Sequence, residues 1–180
     1  MFQILKRNKT VKPQAMIIAI GGVSTAGKTT LAKQLREHFH DFKVITLCQD
    51  DFVKPVDEIP VIQGRVDWEH PDSIDHERFM RAIIAEKNEN DIVIAEGLMI
   101  YWHQPLVKYF DKRIFVEVDH ATFLHRKAKD NRWGHEPDWY IDHIWKNYLL
   151  FGKPPENESY LSVTGNWSII LKPILTYLKS

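Results

Sequence analysis

Met16-Ile17-Ile18-Ala19-Ile20-Gly21-Gly22-Val23-Ser24-Thr25-Ala26-Gly27-Lys28-Thr29-Thr30 decides the fold of this 180-residue chain. From Gly22 onward it fits the pattern G-x-x-x-x-G-K-[ST] without a gap. The apolar run Met16 to Ile20 ahead of it reads as a buried strand. Leu31, Leu35 and Phe39 after it put one apolar stripe on an amphipathic helix. A polyphosphate site needs this order of strand, glycine loop and helix. Backbone N–H groups and the helix N-terminus surround the anion, and glycine lets the backbone come close. Gly22, Ser24, Thr25, Ala26, Gly27, Lys28, Thr29 and Thr30 are therefore expected to bind a nucleoside triphosphate. Lys28 would reach its β- and γ-phosphates, and the Thr29 hydroxyl would ligate Mg²⁺. An ordinary Gly-rich turn before a helix would need neither Lys28 nor the paired threonines.

Working outward, strand-like apolar runs alternate with helical patterns. The strands are Met16 to Ile20, Val44 to Leu47, Ile92 to Ala95, Ile114 to Val118 and, more weakly, Tyr160 to Val163. The helical stretches are Thr29 to His40, Ile74 to Glu86, Ala121 to Lys129, Ile141 to Leu150 and Ile169 to Leu178. Such alternation predicts an α/β fold, a parallel sheet covered on both faces. The longest irregular piece, Val53 to Ser73, holds Pro55, Pro60, Gly64 and Pro71. A loop of that length in a small domain usually carries function.

Composition narrows the classes. The chain is 44% hydrophobic and 27% charged, ordinary for one globular domain, expected over residues 16–180 behind an extension at 1–15. The formal net charge is zero, which argues against nucleic acid or an anionic membrane as partner. No apolar run has membrane-spanning length. Lys6, Arg7, Lys9 and Lys12 open the chain without the apolar stretch of a secretion signal. The single cysteine, Cys48, excludes an internal disulfide and reads as a strand thiol. Cytoplasmic location and a monomer or small homo-oligomer are the expectations. The nine histidines include no H-E-x-x-H, and they read as surface or packing residues rather than a zinc site. Trp139, Trp145 and Tyr148 read as core.

In an open α/β sheet, ligands bind beyond the carboxyl ends of the strands. The second strand ends in Gln49-Asp50-Asp51-Phe52, the third in Glu96-Gly97. One of these carboxylates can hold Mg²⁺ or its waters, and another can accept the proton of an attacking hydroxyl. Asp51 fits a capping role better than a chemical one. In Asp67-Trp68-Glu69-His70-Pro71-Asp72, carboxylates flank an aromatic. That suits a sugar-and-base ligand, because a carboxylate accepts from vicinal hydroxyls and a ring stacks on a heterocycle. Arg126, Lys129 and Arg132 fall at i, i+3, i+6, one basic stripe if the segment is helical. Such a lid would exclude water and stabilise charge on a transferring phosphoryl group.

The phosphate loop, Gln49-Asp50-Asp51-Phe52-Val53-Lys54-Pro55, Glu96-Gly97 and the basic segment from Arg126 together resemble the nicotinamide riboside kinases, within the uridine kinase group of P-loop nucleoside kinases. The Q-D-D-F-x-K-P element points to the first group, and Trp68-Glu69-His70-Pro71-Asp72 looks more like uridine kinases. The resemblance implies a P-loop NTPase fold, a five-stranded parallel sheet in the order 2-3-1-4-5 with a small lid over roughly residues 126–140. It implies ATP and Mg²⁺, with Lys28, Asp50 and Arg126 catalytic and Thr29, Asp50 and Glu96 at the metal. Asp50 would take the 5′-hydroxyl proton. Asp51, Phe52, Lys54, Trp68, Glu96 and Arg126 would lie around the nucleoside, with Trp68 on the base. The ribose-binding aspartate of these families falls on Glu69, a longer side chain, and Asp67 could take its place. Lys129 and Arg132 would be lid cations, and Thr164 would sit in the loop beside adenine. The activity implied is phosphorylation of a nucleoside 5′-hydroxyl, of nicotinamide riboside first and of uridine or cytidine second. A P-loop ATPase or nucleotide switch is the reading from another class. It would leave the Trp68-Glu69 loop without a purpose, and no Asn-Lys-x-Asp guanine element is present.

Overall fold

The computed structural model describes residues 14–132, 134–165 and 170–180. Strand β1 (Met16–Gly22) runs through the centre, with Ile17, Ile18, Ala19 and Ile20 wholly buried. The phosphate loop leads into α1 (Lys28–His38), which buries Leu31, Ala32 and Leu35. Strand β2 (Val44–Cys48) follows, half-buried throughout, and ends in a 3₁₀ turn over Gln49–Phe52. Inside the expected irregular piece the chain forms a small antiparallel hairpin, β3 (Val61–Ile62) and β4 (Arg65–Val66). Its turn residues Gln63 (φ 49°) and Gly64 (φ 77°) are both left-handed, the geometry that matches strand twist in two-residue hairpins.

Helix α2 (His76–Glu89) begins two residues later than its apolar pattern suggests. Ile74 is held in a bridge to Val53, and Asp75 caps the helix by accepting the Arg78 N–H at 2.8 Å. Strand β5 (Ile92–Gly97) is buried along its length, and the short α3 (Gln104–Val107) was not visible as a period. Strand β6 (Lys112–Glu117) leads into α4 (His120–Lys127), where Asp119 caps the Thr122 N–H at 2.7 Å. Helix α5 (Asp138–Phe151), strand β7 (Leu161–Thr164) and helix α6 (Leu171–Lys179) complete the fold. The expected start of the last helix at Ile169, and residues 1–13 of the expected extension, lie outside the described residues. Ala15, placed with the extension, is only 2% exposed and joins the core.

The five long strands are parallel in the order β2-β5-β1-β6-β7. Numbered among themselves, they run 2-3-1-4-5, as the resemblance implies. The step from β1 to β2 goes one way across the sheet, and the later steps go the other. Right-handed crossovers then put α1 on one face and α2 and α5 on the opposite one. All five carboxyl ends share one edge, and the strand order reverses beside β1, where a crevice opens. Among the described residues no helix is long and apolar enough to cross a membrane.

Candidate active site

The phosphate loop sits at the end of β1. Gly22 has φ 149°, and a Cβ there would stand 2.5 Å from the Val116 carbonyl oxygen. Gly27, at φ 105°, leads into α1, whose N-terminus receives no side-chain cap. Its first N–H groups are thereby left to an anion. Lys28 Nζ arcs back over the loop to the Val23 carbonyl at 3.1 Å. Thr25 adopts φ 62°, and its buried hydroxyl has no hydrogen-bond partner among the described residues.

The Thr29 hydroxyl donates to Glu96 Oε1 at 2.6 Å. Glu96 is 2% exposed and lies between Ile20 of β1 and Cys48 of β2 in the sheet register. A hydroxyl beside a carboxylate is a hard-oxygen donor set that fits Mg²⁺, which takes few protein ligands and keeps phosphate and water. Among the described residues no three His, Cys, Asp or Glu side chains form a cage. The Cys48 thiol, half-buried beside these acids, is pushed up to about 12, by burial first and then by Glu96 and Asp50.

Arg126 does not face out as a lid cation. Its guanidinium donates to the carbonyls of Thr25 (3.1 Å), Ala26 (3.4 Å) and Gly165. It is a strut between the phosphate loop and the end of β7. A Cβ on Gly165 would stand 2.5 Å from the Ala26 carbonyl oxygen, so the two segments touch. The expected basic stripe does not form. Helix α4 stops at Lys127, and Arg132 folds onto Asp130 through two contacts of 2.7 Å. That local pair drops the Asp130 carboxyl to about 2, and Lys129 is left exposed. Thr164 ends β7 and lines a cavity of about 420 Å³ with Glu117, Asp119 and Trp145. Trp145 and Tyr148 pack in an aromatic cluster with Phe115 and Phe123, core residues as expected.

Asp50 and Asp51 are exposed on the 3₁₀ turn after β2. Helix α2 holds this turn. Arg78 donates to the carbonyls of Asp51 (3.1 Å) and Val53 (3.4 Å), and it lies 5.2 Å over the Phe52 ring. Phe52 itself packs on Phe79 at 4.9 Å, an anchoring role. The Lys54 N–H closes the loop base on the Ser73 carbonyl at 2.9 Å.

The Asp67-Trp68-Glu69 segment rests on α5. Asp67 is 4% exposed, and its Oδ1 accepts the Glu69 N–H (3.2 Å) and lies 2.8 Å from His143 Nε2. The Trp68 backbone N–H donates to the Tyr140 hydroxyl at 3.2 Å, and the residue is 43% exposed. Glu69 is half-buried, and its carboxyl is pushed up to about 7. Burial is the main cause; Lys127 opposes it, and Asp50, Glu136 and Asp67 add to it. Lys127 forms a buried ion pair with Glu136 at 2.6 Å. Asp50, Asp67 and Glu69 thus share one electrostatic neighbourhood at the strand ends. Sequence reading missed Tyr140, His143, Lys127 and Glu136. One signal existed for the first two: Tyr140, His143 and Asn147 fall at i, i+3, i+7, on one face of α5, where Tyr140 and Asn147 are buried.

No protein-family model matches this chain. It is 31% identical over 161 residues to nicotinamide riboside kinase 2 of Homo sapiens, covering 78% of this chain and 69% of that one. It is 28% identical over 183 residues to uridine kinase of Chlamydia pneumoniae, covering 87% and 80%. Among solved structures it is similar in fold to a possible uridine kinase from Bacillus stearothermophilus, with a TM-score of 0.58, 17% identity and coverage of 86% and 91%. Shikimate kinase from Aquifex aeolicus shares the fold with a TM-score of 0.54, 16% identity and coverage of 91% and 96%.

Proposed function

The chain belongs to the family of nicotinamide riboside kinases and uridine kinase-like P-loop kinases, and we propose that it transfers the γ-phosphoryl group of ATP to the 5′-hydroxyl of nicotinamide riboside. The observation that supports this is the gathering of Thr29, Glu96 and Asp50 at one sheet edge, with Asp50 acting on Glu69. Thr29 and Glu96 meet at the carboxyl ends of β1 and β5, and Asp50, which follows β2 at the same edge, acts electrostatically on Glu69. Phosphoryl transfer needs positioning and charge stabilisation more than covalent help. Loop N–H groups and Lys28 would hold the β- and γ-phosphates. Asp50 would orient the 5′-hydroxyl and take its proton as the oxygen bonds to the γ-phosphorus and ADP leaves. Mg²⁺ held by Thr29 with Glu96 or Asp50 would offset phosphate charge. Arg126 would keep the loop in shape from behind.

Glu69 is the better ribose acceptor of the two acids in its loop. Asp67 is nearly inaccessible, and its Oδ1 is already engaged twice. Trp68 offers an exposed ring to the base. The surplus of carboxylates around Glu69 supports a cationic base. The positive nitrogen of nicotinamide riboside is bonded to C1′, beside the C2′ hydroxyl that Glu69 would hold. At about 5 Å and an effective dielectric of 20 to 80, that attraction is about 1–3 kcal/mol, absent for a neutral base. Uridine or cytidine is the second reading, favoured by Trp68-Glu69-His70-Pro71-Asp72 and the likeness to uridine kinase. The test offers the protein Mg-ATP with nicotinamide riboside, uridine, cytidine or adenosine, and Asp50→Asn as control. Phosphorylation of none of them would sink the kinase reading. Preference for uridine would move the assignment to the second. Full activity of Asp50→Asn would remove only the role given to Asp50.

A further inference from the structure

Two side chains of α5 grip consecutive residues of the nucleoside loop. Tyr140 accepts the Trp68 N–H, and His143 meets Asp67 Oδ1. They stand at i and i+3, one face of the helix. The His143–Asp67 contact joins positions 76 apart, and the side chains are 17% and 6% exposed. The same Asp67 oxygen accepts the Glu69 N–H and so fixes the backbone that carries the Glu69 carboxylate. Asn147 Nδ2 lies 2.9 Å from His143 Nε2 and closes the imidazole in from the next turn of α5.

We propose that His143 is a positioning residue for the nucleoside, acting through Asp67 to hold the Trp68-Glu69 turn at the spacing a ribose and its base require. This rests on the reading of Glu69 and Trp68 as nucleoside contacts. His143 acts through its contact with Asp67 and has no assigned role toward ATP or the reacting atoms. Its effect falls on nucleoside recognition and leaves the phosphate loop alone. Loss of one partner from a buried polar pair leaves the other unsatisfied, so the loop relaxes toward water. The Glu69 carboxylate then no longer meets both ribose hydroxyls in a fixed geometry.

The experiment measures KM for nicotinamide riboside and for ATP, with kcat, in wild type, His143→Ala, His143→Gln, Asp67→Ala and Asp67→Ala/His143→Ala. Expected is a rise of about tenfold or more in nucleoside KM for each alanine variant, with ATP KM within about twofold. The double variant should be no worse than the worse single, because both remove one interaction. His143→Gln keeps an N–H donor and should recover most of the loss. An active His143→Ala with unchanged nucleoside KM overturns the proposal and leaves the kinase reading standing. Equal rises in both KM values overturn it too, since they mark general loosening. If His143→Ala does not fold, His143→Leu, which keeps the bulk without a polar hydrogen, decides by the same ratio: a rise confined to nucleoside KM supports the proposal, and parallel rises or no rise overturn it. A wild type that phosphorylates no nucleoside overturns both readings together.

Discussion

Glu69→Gln should make the protein more stable at neutral and alkaline pH while damaging nucleoside binding. Burial and the nearby acids hold the Glu69 carboxyl at about 7, against 4.5 for a free glutamate. At ~1.4 kcal/mol per tenfold change in proton affinity, that difference amounts to about 3 kcal/mol. The sign follows from the protons bound. Below pH 4.5 the group is neutral in both folded and unfolded chains, and the glutamine variant gains nothing. Between 4.5 and 7 the unfolded chain releases its proton while the folded chain keeps it, so wild-type stability falls as pH rises. Above 7 the folded protein carries the full penalty, which the neutral amide escapes. Urea unfolding of both proteins at steps from pH 4.5 to 8.5 measures the difference directly. It should grow from near zero to about 3 kcal/mol, with most of the change before pH 7.5. In a domain of this size that corresponds to roughly 6–12 °C in Tm at pH 8. A difference that does not change with pH, or a glutamine variant less stable at pH 8, would refute the reasoning. The same variant should bind nicotinamide riboside at least tenfold more weakly at pH 8, since the amide brings no negative charge to the ribose.

Three further outcomes are expected. Gly165→Ala puts a methyl group 2.5 Å from the Ala26 carbonyl oxygen, which is backbone and cannot swing aside; unfolding should show a loss of about 1–3 kcal/mol, and ATP KM should rise severalfold. Arg126→Lys cannot span the carbonyls of Thr25, Ala26 and Gly165 with one ammonium group, so ATP affinity by calorimetry should fall about tenfold, and wild-type affinity would remove the strut role. Lys127→Met strands a buried Glu136 and should destabilise by about 3–5 kcal/mol, with Lys127→Met/Glu136→Gln recovering most of it in thermal unfolding.

How legible was this in the chain? The central strand, the phosphate loop and α1 were written locally, because the glycines, Lys28 and the apolar stripe fall within one short stretch. The buried runs of β5 and β6 were equally plain, since parallel strands covered on both faces read as continuous apolar segments. The hairpin inside residues 53–73 was not seen. Its strands have two residues each, too short for a period, although Gln63-Gly64 is a turn pair. The basic stripe failed for a local reason. Asp130 lies two residues before Arg132 and captures it, and a helical projection of Arg126, Lys129 and Arg132 ignores that competitor. Asp67 with His143 lay beyond any reading of spacing, since it depends on how α5 crosses the loop. The proposed preference for Glu69 over Asp67 rests on the burial of Asp67, which spacing alone does not supply.

Gly165 against Ala26, with Arg126 bridging both, has a bearing on how the protein comes into being. Arg126 is 100 positions from Ala26 and 39 from Gly165, so the phosphate loop takes its final support from a strand made long after the loop itself. Contacts of such long range form late, after the chain entropy between them has been surrendered. On a ribosome, where the N-terminal part emerges first, the glycine loop would wait unbraced until β7 appears. Nucleotide affinity should therefore switch on only once β7 has been made, and ATP in the surrounding solution would favour the braced domain over nascent forms that lack this strand.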